Sequence, residues 1–230
     1  MQAESRPIRI EVNSNEIVSG LWNTPEQPLA ACVLAPGAGA GIQQPFMAAL
    51  ASELSERRIA TLRYQFPYIE RKRRRPDPPP LCHATVRAAV RTAIELAPAL
   101  PLIVGGKSFG GRMSSQAQSL EPLSRCRGLT FLGFPLHPAG QPSDTRAEHL
   151  TAVHVPMLFL QGTRDELADL ALLRPVIERL GDRATLQLFE GADHSFHVRR
   201  GSGTSDAQVR AALADALAHW ILTLRRSGPE

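Results

Sequence analysis

At 230 residues, with 43% hydrophobic and 21% charged side chains, the chain can bury about 70% of its unfolded surface around one core without staples. Cys32, Cys82 and Cys126 are odd in number and widely spaced, which argues against a disulfide framework and fits a reducing compartment. The net charge of +4 and pI near 9.4 first suggest nucleic acid. However, Arg71-Lys72-Arg73-Arg74-Arg75 concentrates five positive charges in one short segment, and the remainder is close to neutral. A nucleic-acid surface spreads its charge along a face with aromatics between, so no such partner is expected. No stretch approaches the roughly 18 apolar residues of a membrane span, and residues 1–7 lack the apolar core of a signal peptide. The expectation is a single cytoplasmic domain over residues 1–230, with no membrane contact and an oligomeric state that the sequence leaves open.

In chain order, Ile8-Arg9-Ile10-Glu11-Val12 alternates as a strand, and residues 16–22 form its hairpin partner across Asn13-Ser14-Asn15. Residues 31–35 are a short buried strand that runs into Pro36-Gly37-Ala38-Gly39-Ala40-Gly41. Phe46, Met47, Leu50, Ala51 and Leu54 recur at helical spacing, which predicts a helix over 45–57. A strand over 59–66 follows, then a loop over 67–80 rich in arginine and proline. A helix is expected over 84–96, a strand over 102–104, a helix carrying Met113 and Leu120, and a strand over 129–132. Residues 133–154, broken by Pro135, Pro138, Gly140 and Pro142, read as irregular. A strand at 157–160, a helix at 170–180, a strand at 184–189 and a terminal helix at 209–224 complete the pattern. Strands alternating with helices after an initial hairpin predict an α/β fold, a mostly parallel sheet covered on both faces.

The chemistry centres on Leu102-Ile103-Val104-Gly105-Gly106-Lys107-Ser108-Phe109-Gly110-Gly111. Here an apolar strand meets a G-x-S-x-G turn, which exposes a serine as a nucleophile between a strand and a helix. Serine needs a base, and the base needs an orienting group. Asp165 follows the 157–160 strand and His194 follows the 184–189 strand, so all three sit beyond the C-terminal ends of strands, on one edge. Glu166 and Asp169 are rival acids, Asp193 is too close to His194 to fold back on it, and His197 is a rival base. The backbone N–H of Phe109 and that of Ala38 are the expected oxyanion donors. Gly37 and Lys107 are candidate substrate contacts, and Arg73 and Arg74 are candidates for attracting an anionic substrate.

Nucleotide readings fail on specific residues. A P-loop would need glycine at Pro101, and a dinucleotide fingerprint would need it at Ile42. His194 and His197 lack further ligands at suitable spacing. Neither a metal nor a cofactor is expected.

Residues 36–41, 63–68, 76–80, 105–113, 133–138, 162–165 and 191–196 match, in order, the dienelactone-hydrolase-related branch of α/β-hydrolases. More narrowly they resemble the branch of testis-expressed hydrolase-like proteins and a hydrolase-like subunit of a chromatin complex. The resemblance implies a three-layer α/β-hydrolase fold of about eight strands and a triad of Ser108, Asp165 and His194. Pro36 stands where many hydrolases carry a histidine that buttresses the oxyanion loop, and dienelactone hydrolases proper use a cysteine nucleophile. Residues 133–156 are too few for a helical lid. A serine hydrolase cleaving an ester or related acyl bond of a small soluble substrate is expected. The alternative is a non-catalytic binding or scaffold protein on the same fold.

Overall fold

The structure, a computed structural model, describes residues 5–226. Strands β1 (Ser5–Asn13) and β2 (Glu16–Asn23) form the antiparallel hairpin, with Ile10 opposite Val18. β3 (Ala30–Ala35), β4 (Ile59–Tyr64), β5 (Leu102–Lys107), β6 (Cys126–Leu132), β7 (Met157–Gly162) and β8 (Ala184–Phe189) are parallel to one another. Their order across the sheet is β1-β2-β4-β3-β5-β6-β7-β8. β3 and β4 are buried at every position, as expected of strands covered on both faces.

One face packs on α3 (Pro79–Leu96), α4 (Phe109–Leu120) and α5 (Leu170–Leu180). The other packs on α1 (Pro45–Glu56) and α6 (Asp206–Arg226), where Leu50, Leu54, Leu213 and Leu217 are fully buried. Truncating any of these four to alanine removes transfer energy and leaves a cavity, a cost of about 2–5 kcal/mol.

Three expectations change. The segment 67–80 is not a plain loop: Pro67–Glu70 forms the short helix α2, and α3 begins at Pro79 rather than at 84. Proline at the first helical position lacks only an N–H that would be unpaired there anyway, and its fixed φ suits a helix start. The irregular 133–154 segment contains a 3₁₀ helix over Thr145–Ala152. β5 runs on through Gly105 and Gly106 to Lys107. Between β6 and α5 no lid is built among the described residues, only this 3₁₀ turn and β7.

The chain leaves β3 for β4 on one side and returns to β5 on the other. The crevice beyond β3 and β5 is therefore a topological switch point, where open α/β sheets place their sites.

Candidate active site

Ser108 connects β5 to α4 with φ 49° and ψ −116°, a strained backbone for a residue with a side chain. The turn closes because its flanks carry no side chain. A Cβ on Gly106 would lie 2.2 Å from the Ala35 carbonyl oxygen, and one on Gly110 would lie 2.4 Å from that of Pro36. The Ser108 N–H donates to the Leu132 carbonyl at 3.1 Å, locking the elbow to the end of β6.

Opposite the hydroxyl lies His194. Ser108 Oγ is 2.8 Å from His194 Nε2, and His194 Nδ1 is 2.7 Å from Asp165 Oδ2. With Nδ1–H donating to the carboxylate, Nε2 is left to accept the serine proton. The Asp165 side chain is wholly buried, and the imidazole is 23% exposed. That gradient puts the carboxylate in the interior and leaves the imidazole partly open to solvent. Asp165 is held from several sides: Oδ1 accepts from the Leu167 N–H at 2.8 Å, and Gln161 Nε2 donates to Oδ2. Gln161 Oε1 accepts from the Phe134 N–H at 2.9 Å, which fixes the amide's orientation.

Three of the rival groups are engaged elsewhere, and the fourth, Glu166, is exposed. Asp193 Oδ1 accepts from the Ser195 and His197 N–H groups and winds the turn that presents His194. Asp169 caps α5 through the Ala171 N–H. His197 pairs with Asp206 at 2.8 Å, and that carboxylate raises its pKa.

The β3–α1 loop approaches from the other side. A Cβ on Gly37 would lie 3.9 Å from Ser108 Cβ, so Gly37 borders Ser108. The Gly39 N–H donates to the Tyr68 hydroxyl at 2.8 Å. Tyr68 therefore supports the loop that begins with Pro36. Burial raises the Tyr68 pKa and keeps the phenol protonated. The Ala38 N–H, between these two fixed glycines, has no intramolecular partner among the described residues. Phe109 opens α4, where no side chain caps the free N–H groups; its ring packs edge-on against Phe66 at 5.4 Å.

The basic residues are placed differently from a cluster around the serine. Arg73 Nη2 is bonded to Asp77 Oδ1 at 2.9 Å, and Arg71 pairs with Glu16. Asp77 also accepts from the Tyr68 N–H at 2.7 Å, so the basic segment anchors α2. Arg74 is exposed. Lys107 does not extend into solvent: its Nζ donates to the His194 carbonyl. Burial lowers its pKa to about 8, against the opposing pull of Asp165 and Asp193.

Sequence reasoning missed Gln161 and the support role of Tyr68. A glutamine inside a strand that is buried at every position is a readable signal, because a buried amide needs partners.

Residues 28–222 match the model of the alpha/beta hydrolase domain family. The chain belongs to that family. The fold is shared with a dienelactone hydrolase from Anabaena variabilis, at 19% identity over 97% of this chain and 99% of that one, TM-score 0.77. It is shared also with XC6422 from Xanthomonas campestris, described as a member of a/b serine hydrolases without a lid, at 22% identity over 94% and 95%, TM-score 0.73. An esterase domain from a Rhodothermus marinus protein matches at 15% identity over 94% and 97%, TM-score 0.71. No helix among the described residues of this alpha/beta hydrolase is long and apolar enough to cross a membrane.

Proposed function

We propose that this alpha/beta hydrolase is a serine hydrolase, cleaving a carboxylic ester or related acyl bond of a small soluble substrate without a cofactor. The observation that carries the reading is the unbroken relay from Ser108 Oγ through His194 to the buried Asp165, at 2.8 and 2.7 Å.

Ser108 Oγ attacks the acyl carbonyl as His194 Nε2 takes its proton. The carbonyl oxygen gains the negative charge, and the N–H groups of Phe109 and Ala38 receive it. Collapse of the tetrahedral intermediate expels the alcohol, which takes the proton back from His194, and leaves an acyl ester on Ser108. Water then attacks with His194 again as base, releasing the acid and restoring the serine. Asp165 holds the imidazole in one tautomer and stabilises its cation. Each oxyanion donor is worth about 3–4 kcal/mol of barrier. Gly37 lets the acyl group approach the serine closely. Residues 1–230 act as one catalytic unit, and Arg74, with Arg73 beside it, draws anionic substrates toward the active edge.

A panel of p-nitrophenyl esters of increasing acyl length tests the reading. Turnover of short esters that vanishes in Ser108→Ala supports it. A folded wild type that turns over none of them favours a non-catalytic scaffold.

A further inference from the structure

Lys107 directly precedes the nucleophile, and the reaction above gives it no part. β5 ends on it, and its stem packs under Gly37, where a Cβ would lie 3.6 Å from Lys107 Cγ. From there Nζ reaches the main-chain carbonyl of His194, a residue 87 positions away. The ammonium also stands 5.2 Å from the centroid of the Phe196 ring, a cation–π distance. That ring is itself fixed, stacked on Phe46 at 5.7 Å and edge-on to Phe189 at 5.9 Å. A Cβ built on Gly133 would lie 3.3 Å from Lys107 Nζ, 3.4 Å from His194 Nδ1 and 3.5 Å from Asp165 Oδ2. The ammonium and the imidazole–carboxylate pair therefore converge on one point.

We propose that Lys107 is a positioning residue. Its bond to the His194 carbonyl fixes the loop that presents the imidazole. The inference rests on His194 being the base of the proposed reaction.

The loop after β8 needs such a hold. It makes its own turn through Asp193, but the backbone of His194 is tied to the nucleophile's strand only through Lys107 Nζ among the described hydrogen bonds. A small displacement of a catalytic base is costly, because rate falls steeply once reacting atoms leave near-attack geometry. Putting an ammonium in this place costs desolvation, which its depressed pKa reflects. The charged and titratable groups facing it are Asp165 from the loop after β7, and Asp193 and His194 from the loop after β8; the Gly37 loop brings no charge. The two carboxylates keep Lys107 charged up to about pH 8. Above that the neutral amine still donates to the carbonyl, so the tether outlasts the charge.

Lys107→Met, Lys107→Gln and Lys107→Arg are compared on p-nitrophenyl butyrate from about pH 5 to about pH 9, with hydrogen exchange of residues 190–198 measured alongside. Lys107→Met is expected to lower kcat about 10- to 100-fold with KM within about twofold. The loop of residues 190–198 exchanges faster. Lys107→Gln keeps a donor without the charge, so it recovers part of kcat and part of the loop's protection. Lys107→Arg keeps both donor and charge and stays nearest the wild-type profile. If Lys107→Met does not fold, the Gln and Arg variants carry the same comparison. A raised KM with kcat retained would make Lys107 a substrate contact and overturn the proposal. So would unchanged kcat and loop exchange. A wild type that hydrolyses nothing sinks the hydrolase reading, whereas loop exchange, which needs no turnover, still decides the tether.

Discussion

The two edges of the sheet make opposite use of the same strands. At the edge where β5 and β6 begin lies a cavity of about 390 Å³, lined by Leu100, Pro101, Ile103, Ile221 and Leu224 with Arg125 and Arg127 at its rim. It holds no serine, histidine or carboxylate. At the edge where the strands end, Asp165 borders a cavity of about 490 Å³ with His137 and Asp169, and its carboxylate joins His194 and, through it, Ser108. Both edges have room for a ligand, and only the second sets a hydroxyl, an imidazole and a buried carboxylate in one hydrogen-bonded chain. The lesson is that room for a ligand does not locate a reaction. Strained turns, short carbonyl approaches and a relay of paired side chains do.

The comparison can be broken most severely at the nucleophile. Ser108→Ala is expected to lower kcat by about 10⁴-fold or more with little change in thermal stability, read by ester turnover and a melting curve. Ile103→Ala, at the other edge, should do the reverse and cost about 2–5 kcal/mol with the same active-site rate constants. A Ser108 variant that melts early would mean that the elbow is structural first.

Next in size is Gly133→Ala. Gly133 has φ +71°, and the added methyl would press on Lys107, His194 and Asp165 together at 3.3–3.5 Å. A fall in kcat of about 100-fold is expected, larger than any effect on binding. Unchanged kcat would show that the converging groups have slack. Tyr68→Phe removes the acceptor for the Gly39 N–H and should lower kcat about tenfold through the oxyanion loop, while costing about 1 kcal/mol of stability. Denaturant titration and steady-state rates separate the two effects.

A smaller effect concerns pH. His149 Nε2 is bonded to Ser115 Oγ at 2.7 Å, and burial, with Arg112 nearby, lowers its pKa from 6.5 to about 4. The folded state therefore favours neutral His149. Its contribution to stability is complete above about pH 6.5 and is lost as pH falls toward 4. His149→Gln should flatten the stability curve across that window, and an unaltered acid slope would assign the loss to other groups. The smallest effect is at Arg74, where reversal to glutamate should lower kcat/KM for an anionic ester about twofold at low salt and not at all at high salt.

Much of this arrangement was legible in the sequence because it is local. The G-x-S-x-G turn, the strand-end placement of Asp165 and His194 and the glycines of the β3–α1 loop all declare themselves within a few residues. The α/β class followed from the alternation of strand and helix patterns, and the eight-stranded hydrolase fold from the family resemblance. What escaped was non-local or proline-led. Reading 67–80 as a loop took its prolines as breakers, whereas Pro67 and Pro79 each start a helix. Arg73 looked free until Asp77 folded back on it. Lys107 read as a candidate substrate contact, because nothing in the chain near it shows that its partner is a carbonyl 87 residues on. Gln161 was hidden by its strand, although burial of every residue there implied a role for its amide.

The most direct test is covalent. Wild-type protein and Ser108→Ala are treated with a fluorophosphonate and weighed intact. One adduct is expected on the wild type, mapped to Ser108 and slowed when His194 is changed to alanine, with none on Ser108→Ala. A folded wild type that takes up no adduct, or an adduct that persists on Ser108→Ala, would contradict the serine-hydrolase reading.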